Sequence, residues 1–481
     1  MTQVNRSTAI TTMIRRLDSV LADVKDEPRY QYGLLAAITL LAMALRFYKL
    51  GTWSFWIDEL FTLNRVEAHY GSLDVVVRTI AGTKWIPLSL LLISPVLKML
   101  GANEWTARLV PAMIGVASVP ALYLPTRRMF GPTVALLAAL LLAISPWHIY
   151  WSQNARFYTS LMLFSSLGLF AFFFGVERGR PLYLLFFIVL LYLALSERLL
   201  ALFLVPSAVS YLLLLKLSQL EKPPGLRGRN LLLLALPALI LLIANFPALI
   251  DLVTTFGGTP NHDPLRLLSS IAYRLGIATI SLGLAGGLYL VVQKDRAALF
   301  MLLSAVVPVV LILAVSPFMF TVDRYMFAVL PFWLVLSALA IKELVTRNSG
   351  VAGLLGVGVL VLVFGTLVSE DALYYEFQRG NRPDWRSAFQ FVAQRKLDSD
   401  VVAATSPQVG RYYLGMDVMS INAVDRESAA NHRIWFLIDE STGGVEPALH
   451  QWIRQKSELV DVIVTRMPGK SLDIRIYLYE R

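Results

Sequence analysis

Residues 86–100, IPLSLLLISPVLKML, decide how this chain is laid out. The run is apolar, but it is only about 15 residues long, with Pro87 and Pro95 inside it and Lys98 near its end. A bilayer core of roughly 30 Å needs about 20 apolar residues per helix, with every backbone polar group paired internally. If this run crossed, every later loop would change sides. With the run left uncrossed and the N-terminus cytoplasmic, the inner loops hold Arg127/Arg128, Arg178/Arg180, Lys216/Lys222/Arg227/Arg229, Lys294/Arg296 and Lys342/Arg347. The short outer loops then hold mainly Arg156, Arg198 and Arg324. That distribution follows the positive-inside bias, and a crossing would invert it. The run therefore reads as a juxtamembrane helix along the outer interface.

Outward from it, apolar runs near 31–50, 106–125, 132–151, 157–175, 181–196, 199–216, 231–250, 267–291, 297–316, 325–341 and 350–369 read as about eleven spans. Overall, 56% of residues are hydrophobic and 16% charged, against roughly 25% charged in soluble domains. The expected fold is an all-α polytopic membrane domain with outer juxtamembrane helices, followed by a small soluble α/β domain. Residues 1–30 form a polar, basic cytoplasmic leader, 31–370 the membrane domain with an outer loop at 51–105, and 371–481 an extracytoplasmic domain. In that tail, Asp384–Arg395 reads as a helix, 400–404, 434–438 and 459–464 as apolar runs, and 472–479 as an alternating strand. It holds no Gly-rich phosphate loop and no metal-ligand spacing. With no cysteine, thiol catalysis, disulfides and thiolate metal sites are excluded. The net charge of +10 sits in short blocks between apolar runs, which fits anionic lipid headgroups and orientation in the bilayer rather than nucleic acid.

This layout gathers the unusual residues on the outer face. Residues 53–61, WSFWIDELF, place Asp58 and Glu59 among Trp53, Phe55, Trp56 and Phe61. A carboxylate there can take a proton from an attacking hydroxyl or amine, and both acids are catalytic candidates. The plainer alternative for Glu59 is the acidic first turn of a helix. In the turn SPWHIYWSQNARFYTS, 145–160, Arg156 can hold a phosphate through its forked donors; snorkelling to headgroups is the other reading. Tyr158 is a substrate-binding candidate or an interfacial belt residue, and His148 reads as structural. Lys84 and Arg324 are further phosphate-binding candidates. Glu197 and Arg198, which interrupt a long apolar stretch, His262 in a polar turn, and Tyr325 complete the candidate substrate contacts.

The pattern resembles the GT-C glycosyltransferases. The closest likeness is to glycosyltransferase family 39, which holds the protein O-mannosyltransferases, the lipid A aminoarabinose transferase and their relatives. The blocks that carry it are WIDELF, KWIPLSLLL, GANEWTARLVPAMIGVASVPALYLPTRRMFG, ISPWHIYWSQNARFYTSL and DRYMFAVLPFW. They fall in the family's order over most of 50–175 and over 320–335. The resemblance implies a polyprenyl-phosphate-linked sugar donor and inverting transfer to an acceptor on the outer face. It matches Asp58 to the family's acid with Glu59 beside it, Arg156 and Arg324 to its arginines, and Lys84 to a lysine at the lipid phosphate. The family's double proline is here Ile86-Pro87, and Ser89 stands where it has an aromatic. Some relatives use a divalent cation at the acidic loop, so such a cofactor is a possibility here; the residues themselves name no metal ligands. Sugar and acceptor stay open: protein, lipid or glycan. A glycan polymerase or ligase, and a lipid-linked substrate transporter or flippase, are the competing classes. A transporter would show internal repeats and charges at the midplane, and neither is seen.

Overall fold

The computed structural model describes residues 27–83, 85–217, 222–226, scattered positions between 228 and 254, and 263–346, then 350–426, 432–439, 441, 444–467 and 470–480. The leader before residue 27, Lys84, His262 and most of the expected span at 231–250 lie outside the described residues.

Helix α1 (Pro28–Phe47) is followed by three short helices, α2 (Ile57–Tyr70), α3 (Leu73–Thr83) and α4 (Leu88–Leu100). Next come α5 (Glu104–Phe130), α6 (Pro132–Ala143), α7 (Pro146–Ser152), α8 (Tyr158–Arg178), α9 (Pro181–Glu197) and α10 (Val205–Leu217). The membrane part closes with α11 (Pro264–Leu275), α12 (Ile277–Val292), α13 (Arg296–Val315), α14 (Leu330–Thr346) and α15 (Gly350–Ala372). Among the described residues, seven helical stretches are long and apolar enough to cross a bilayer, or up to nine if each bent pair is one span. The fold is thus the expected polytopic helical one. The expected span at 181–196 is a helix of 17 residues, and 231–250 falls largely outside the description.

At 13 residues, α4 is about 20 Å long, too short to cross. That length agrees with its reading as a juxtamembrane element. The first bent pair has a local cause. Between α6 and α7 the chain turns by 59° at Ser145-Pro146, where proline cannot continue a ladder. The buried guanidinium of Arg46 fills the break, donating to the carbonyls of Ala143 at 2.8 Å and Leu142 at 3.0 Å. Arg46 also contacts His148 Nδ1 at 2.6 Å, which makes His148 structural, as expected. The core runs through α8 and α14, whose apolar stretches are mostly buried, whereas α1 and α15 expose most of theirs to lipid.

The expected boundary at residue 371 falls inside a helix. The turns of α15 run on through a π-turn at Leu373–Phe377, because Tyr374 and Tyr375 keep the apolar face going past Glu370-Asp371. Beyond it stand α16 (Trp385–Ala393), capped by Asp384, and the strands β1 (Val401–Ala404), β2 (Met419–Ser420), β3 (Ile434–Asp439), β4 (Glu458–Ile463), β5 (Arg466–Met467), β6 (Lys470–Ser471) and β7 (Ile474–Tyr479). Helices α17 (Pro407–Leu414) and α18 (Pro447–Lys456) complete this part. The five-stranded sheet has the order β2-β1-β3-β7-β4, parallel from β2 to β3 and antiparallel across β7. Its core does not end at the sheet. Trp385, Phe389, Trp435 and Ile476 form one buried cluster with Phe55, Leu60, Leu63 and Ala155. The C-terminal domain therefore packs directly on the loop that bears Asp58.

Candidate active site

The stretch 53–61 runs from the connection after α1 into α2, with Trp56 as the cap residue and Asp58 and Glu59 in the first helical turn. The two neighbouring acids point to different surroundings. Glu59 is fully buried and is held by Arg108, also fully buried, through paired bonds of 2.8 Å from Nε and Nη2. The backbone N–H of Ala155 donates to the same carboxylate at 2.9 Å. Arg108 spends its remaining donors on the carbonyls of Leu50, Trp53 and Ser54. Burial opposes the charge on Glu59, but Arg108 and, further off, Arg382, with these hydrogen bonds, hold its carboxyl below the ordinary range.

Arg108 is aimed by its own helix start. Asn103 caps α5, accepting from Trp105 and Thr106 N–H at 3.0 Å, while Thr106 Oγ1 accepts from Asn103 N–H. Sequence reasoning gave Arg108 no role. The available signal was a buried carboxylate that needed a cation. The C-terminal domain clasps the same loop. Phe55 N–H donates to Tyr413 Oη at 2.7 Å, Tyr413 donates to Glu104 at 2.6 Å, and Ser54 Oγ donates to the Pro383 carbonyl at 2.8 Å.

Asp58 faces a cavity of about 780 Å³. Its Oδ2 lies 3.9 Å from Arg156 Nη2 and 3.8 Å from Arg324 Nη1. Arg156 Nη1 also donates to the Asp58 carbonyl at 2.9 Å and to Thr62 Oγ1 at 3.1 Å. The Nε atoms of Arg156 and Arg324 are buried with no protein partner. Asp323 accepts from the Arg324 backbone N–H at 2.7 Å, while its Oδ2 takes Ser270 and Arg274. Arg156 is set by the stretch Gln153-Asn154, where Gln153 Nε2 binds carbonyls at the end of α1 and Asn154 Oδ1 accepts from Trp56 Nε1 at 2.8 Å. Residues nearly a hundred positions apart are thereby stitched into one site.

Among the other sequence-predicted residues, Tyr158, Glu197, Arg198 and Tyr325 line this cavity, and Arg198 and Arg156 both lie over the Phe157 ring. Glu197 accepts from Ser89 N–H at 2.8 Å and Ser89 Oγ at 2.5 Å, which ties the start of α4 to the end of α9. Lys84 and His262 lie outside the described residues, and Glu59 does not line the cavity. Arg65 and His69 line it too and were missed by sequence reasoning. The carboxylates of Asp58 and Glu59 diverge, Glu59 is saturated by Arg108, and among the described residues no three acidic or imidazole side chains converge.

Residues 85–246 match the family model described as dolichyl-phosphate-mannose-protein mannosyltransferase. No curated protein matches the chain by sequence. Among solved structures, the chain is similar to ArnT from Cupriavidus metallidurans in the apo state, with a TM-score of 0.58 at 14% identity over 93% of this chain and 98% of that one. The same protein bound to undecaprenyl phosphate matches over the same shares with a TM-score of 0.51. The archaeal oligosaccharyltransferase AglB from Archaeoglobus fulgidus, in complex with an inhibitory peptide and a dolichol-phosphate, matches with a TM-score of 0.58 at 13% identity over 86% of this chain and 70% of that one.

Proposed function

The chain has the fold of the GT-C glycosyltransferases, and on that premise we propose that it moves a sugar from a polyprenyl-phosphate donor to an acceptor on the extracytoplasmic face. Transfer inverts the anomeric carbon, and Asp58 is the base. The observation that carries this reading is the meeting of Asp58, Arg156 and Arg324 within 4 Å in one cavity. Ion contacts of 3.8 and 3.9 Å are too long for hydrogen bonds, and both arginine Nε atoms are unspent. A phosphate oxygen entering between the two guanidiniums would give their Nη donors a close acceptor. Two of the similar structures, one bound to undecaprenyl phosphate and one in complex with a dolichol-phosphate, support that class of ligand.

In the reaction, the acceptor oxygen or nitrogen attacks the anomeric carbon opposite the bond to the lipid phosphate. Its proton passes to Asp58, a new glycosidic bond forms, and the bond from carbon to phosphate oxygen breaks. Arg156 and Arg324 offset the charge that builds on the departing phosphate, and Tyr158 and Tyr325 line the same wall. Lys84 is assigned to the lipid phosphate by the family resemblance alone. Glu59 acts one step back. By fixing Arg108 it holds the loop, so it is a positioning residue rather than a second base. Leu195, Leu199, Leu200, Phe203, Met319 and Phe320 form an apolar wall suited to the prenyl chain.

The deciding experiment incubates purified protein with a panel of polyprenyl-phosphate sugars and follows lipid-phosphate release. Asp58→Asn is expected to lose about 10²- to 10⁴-fold in rate, the usual worth of a positioned base. Equal release by wild type and variant would reject the assignment.

A further inference from the structure

Resting on the glycosyl-transfer reading, we propose that α2 carries the acceptor track of this cavity, and that Arg65 and His69 bind an anionic group, phosphate or carboxylate, of the acceptor. Asp58, Phe61, Thr62, Arg65 and His69 all line the cavity. Their spacing from Asp58 is 3, 4, 7 and 11 residues, which is one face of a single helix. At about 1.5 Å per residue, Arg65 stands about 10 Å along the axis from Asp58 and His69 about 16 Å. An acceptor lying along this face would offer its nucleophile to Asp58 and a charged group to Arg65.

Arg156 and Arg324 pair with Asp58, and Arg108 with Glu59. Among the described residues, two cavity arginines, Arg65 and Arg198, make no ion pair; Arg198 lies over the Phe157 ring, and Arg65 shares the helix face of Asp58. Glu197 and Asp251 also line the cavity, and Glu197 is engaged by Ser89. His69, Thr79 and Thr83 line the same cavity, with Thr79 Oγ1 donating to the His69 carbonyl at 3.2 Å. An exposed guanidinium on this cavity offers planar, forked donors suited to a phosphate or carboxylate. The same anion has a second source, a further phosphate on the donor, and the two are separable.

The full chain in nanodiscs of zwitterionic lipid is titrated with octyl glucoside bearing a phosphate monoester and with octyl glucoside itself. The phosphorylated probe is expected to bind at least about tenfold tighter, and Arg65→Gln to weaken it about 10- to 100-fold, as for loss of a charge-assisted contact. Arg65→Lys should restore part of the preference. Lys98→Gln, an equal loss of charge on the exposed side of α4, should leave it intact. Equal affinity for the two glucosides in the wild type overturns the proposal. So does a second result, in which Arg65→Gln weakens binding of polyprenyl diphosphate but not of the phosphorylated glucoside, because the anion then belongs to the donor. Binding needs no turnover. A failure of the glycosyl-transfer reading appears elsewhere, as equal lipid-phosphate release by wild type and Asp58→Asn.

Discussion

At Glu59 the competition is between desolvation and pairing. A carboxylate and a guanidinium, both fully buried, repay their lost hydration only if every donor and acceptor is used, and Arg108 meets that condition with four partners. Removing one member leaves the other charged and unpaired. Glu59→Gln should therefore cost about 3–5 kcal/mol at pH 7, read as a lowered thermal midpoint in detergent. The pH dependence has a definite sign. With its folded pKa below the unfolded value of about 4.3, ionised Glu59 contributes stability above that value and loses it as pH falls through the folded one. The gap in midpoint between wild type and Glu59→Gln should narrow as pH falls below the unfolded value of about 4.3. A gap constant with pH would mean that the folded pKa is not lowered, and a gap that widened on acidification would mean that the carboxyl is neutral in the folded protein.

Between elements, a tight constraint bearing on the site is where the turn after α15 meets the Asp58 loop. Gly380 has φ of +65°, and a Cβ there would sit 2.5 Å from Trp53 Cδ1. Both the backbone and the space demand glycine. Gly380→Ala should cost at least about 1–3 kcal/mol and displace Trp53, lowering kcat more than it changes donor binding, since Asp58 follows Trp53 by five residues. Unchanged kcat with a normal thermal midpoint would show that the C-terminal domain does not hold the loop. This clasp was not legible in the sequence, because residues over 300 positions apart carry no local signal of their contact. Asp58, Arg156 and Arg324 were legible, because each stands as a charge at the edge of an apolar run, where burial makes charge costly. Arg108 looked like any other basic residue near a membrane rim. Arg65 and His69 were hidden by reading 51–105 as a loop; once 57–70 is helical, their spacing from Asp58 places them on its face. The strands β1, β3, β4 and β7 were readable from apolar runs, but their order was not, since β7 enters between β3 and β4 from the end of the chain.

For the molecule as a whole, the remaining quantity is direction in the bilayer, and the structure supplies a ruler for it. Helix α8 begins at Tyr158, on the cavity, and ends at Arg178; its 21 residues span about 31 Å, one bilayer core. At its far end Gly179 lies against Pro224, two residues from the exposed Lys222. The C-terminal domain sits at the near end, through Tyr413 to Phe55 and Glu104. A reporter on that domain and one at Lys222 therefore sit at opposite ends of one membrane-length helix. The chain has no cysteine, so single substitutions give clean labels. In intact cells, Asp417→Cys, highly exposed on the C-terminal domain, should react with a membrane-impermeant maleimide. Lys222→Cys should react only after permeabilisation. The twelve basic residues of the expected inner loops favour this sense, at the cost of charge translocation if it were reversed. The opposite labelling would turn the cavity to the cytoplasm. The acceptor would then be a cytoplasmic molecule, and the interfacial placement of α4 would fall with the span count that supports it.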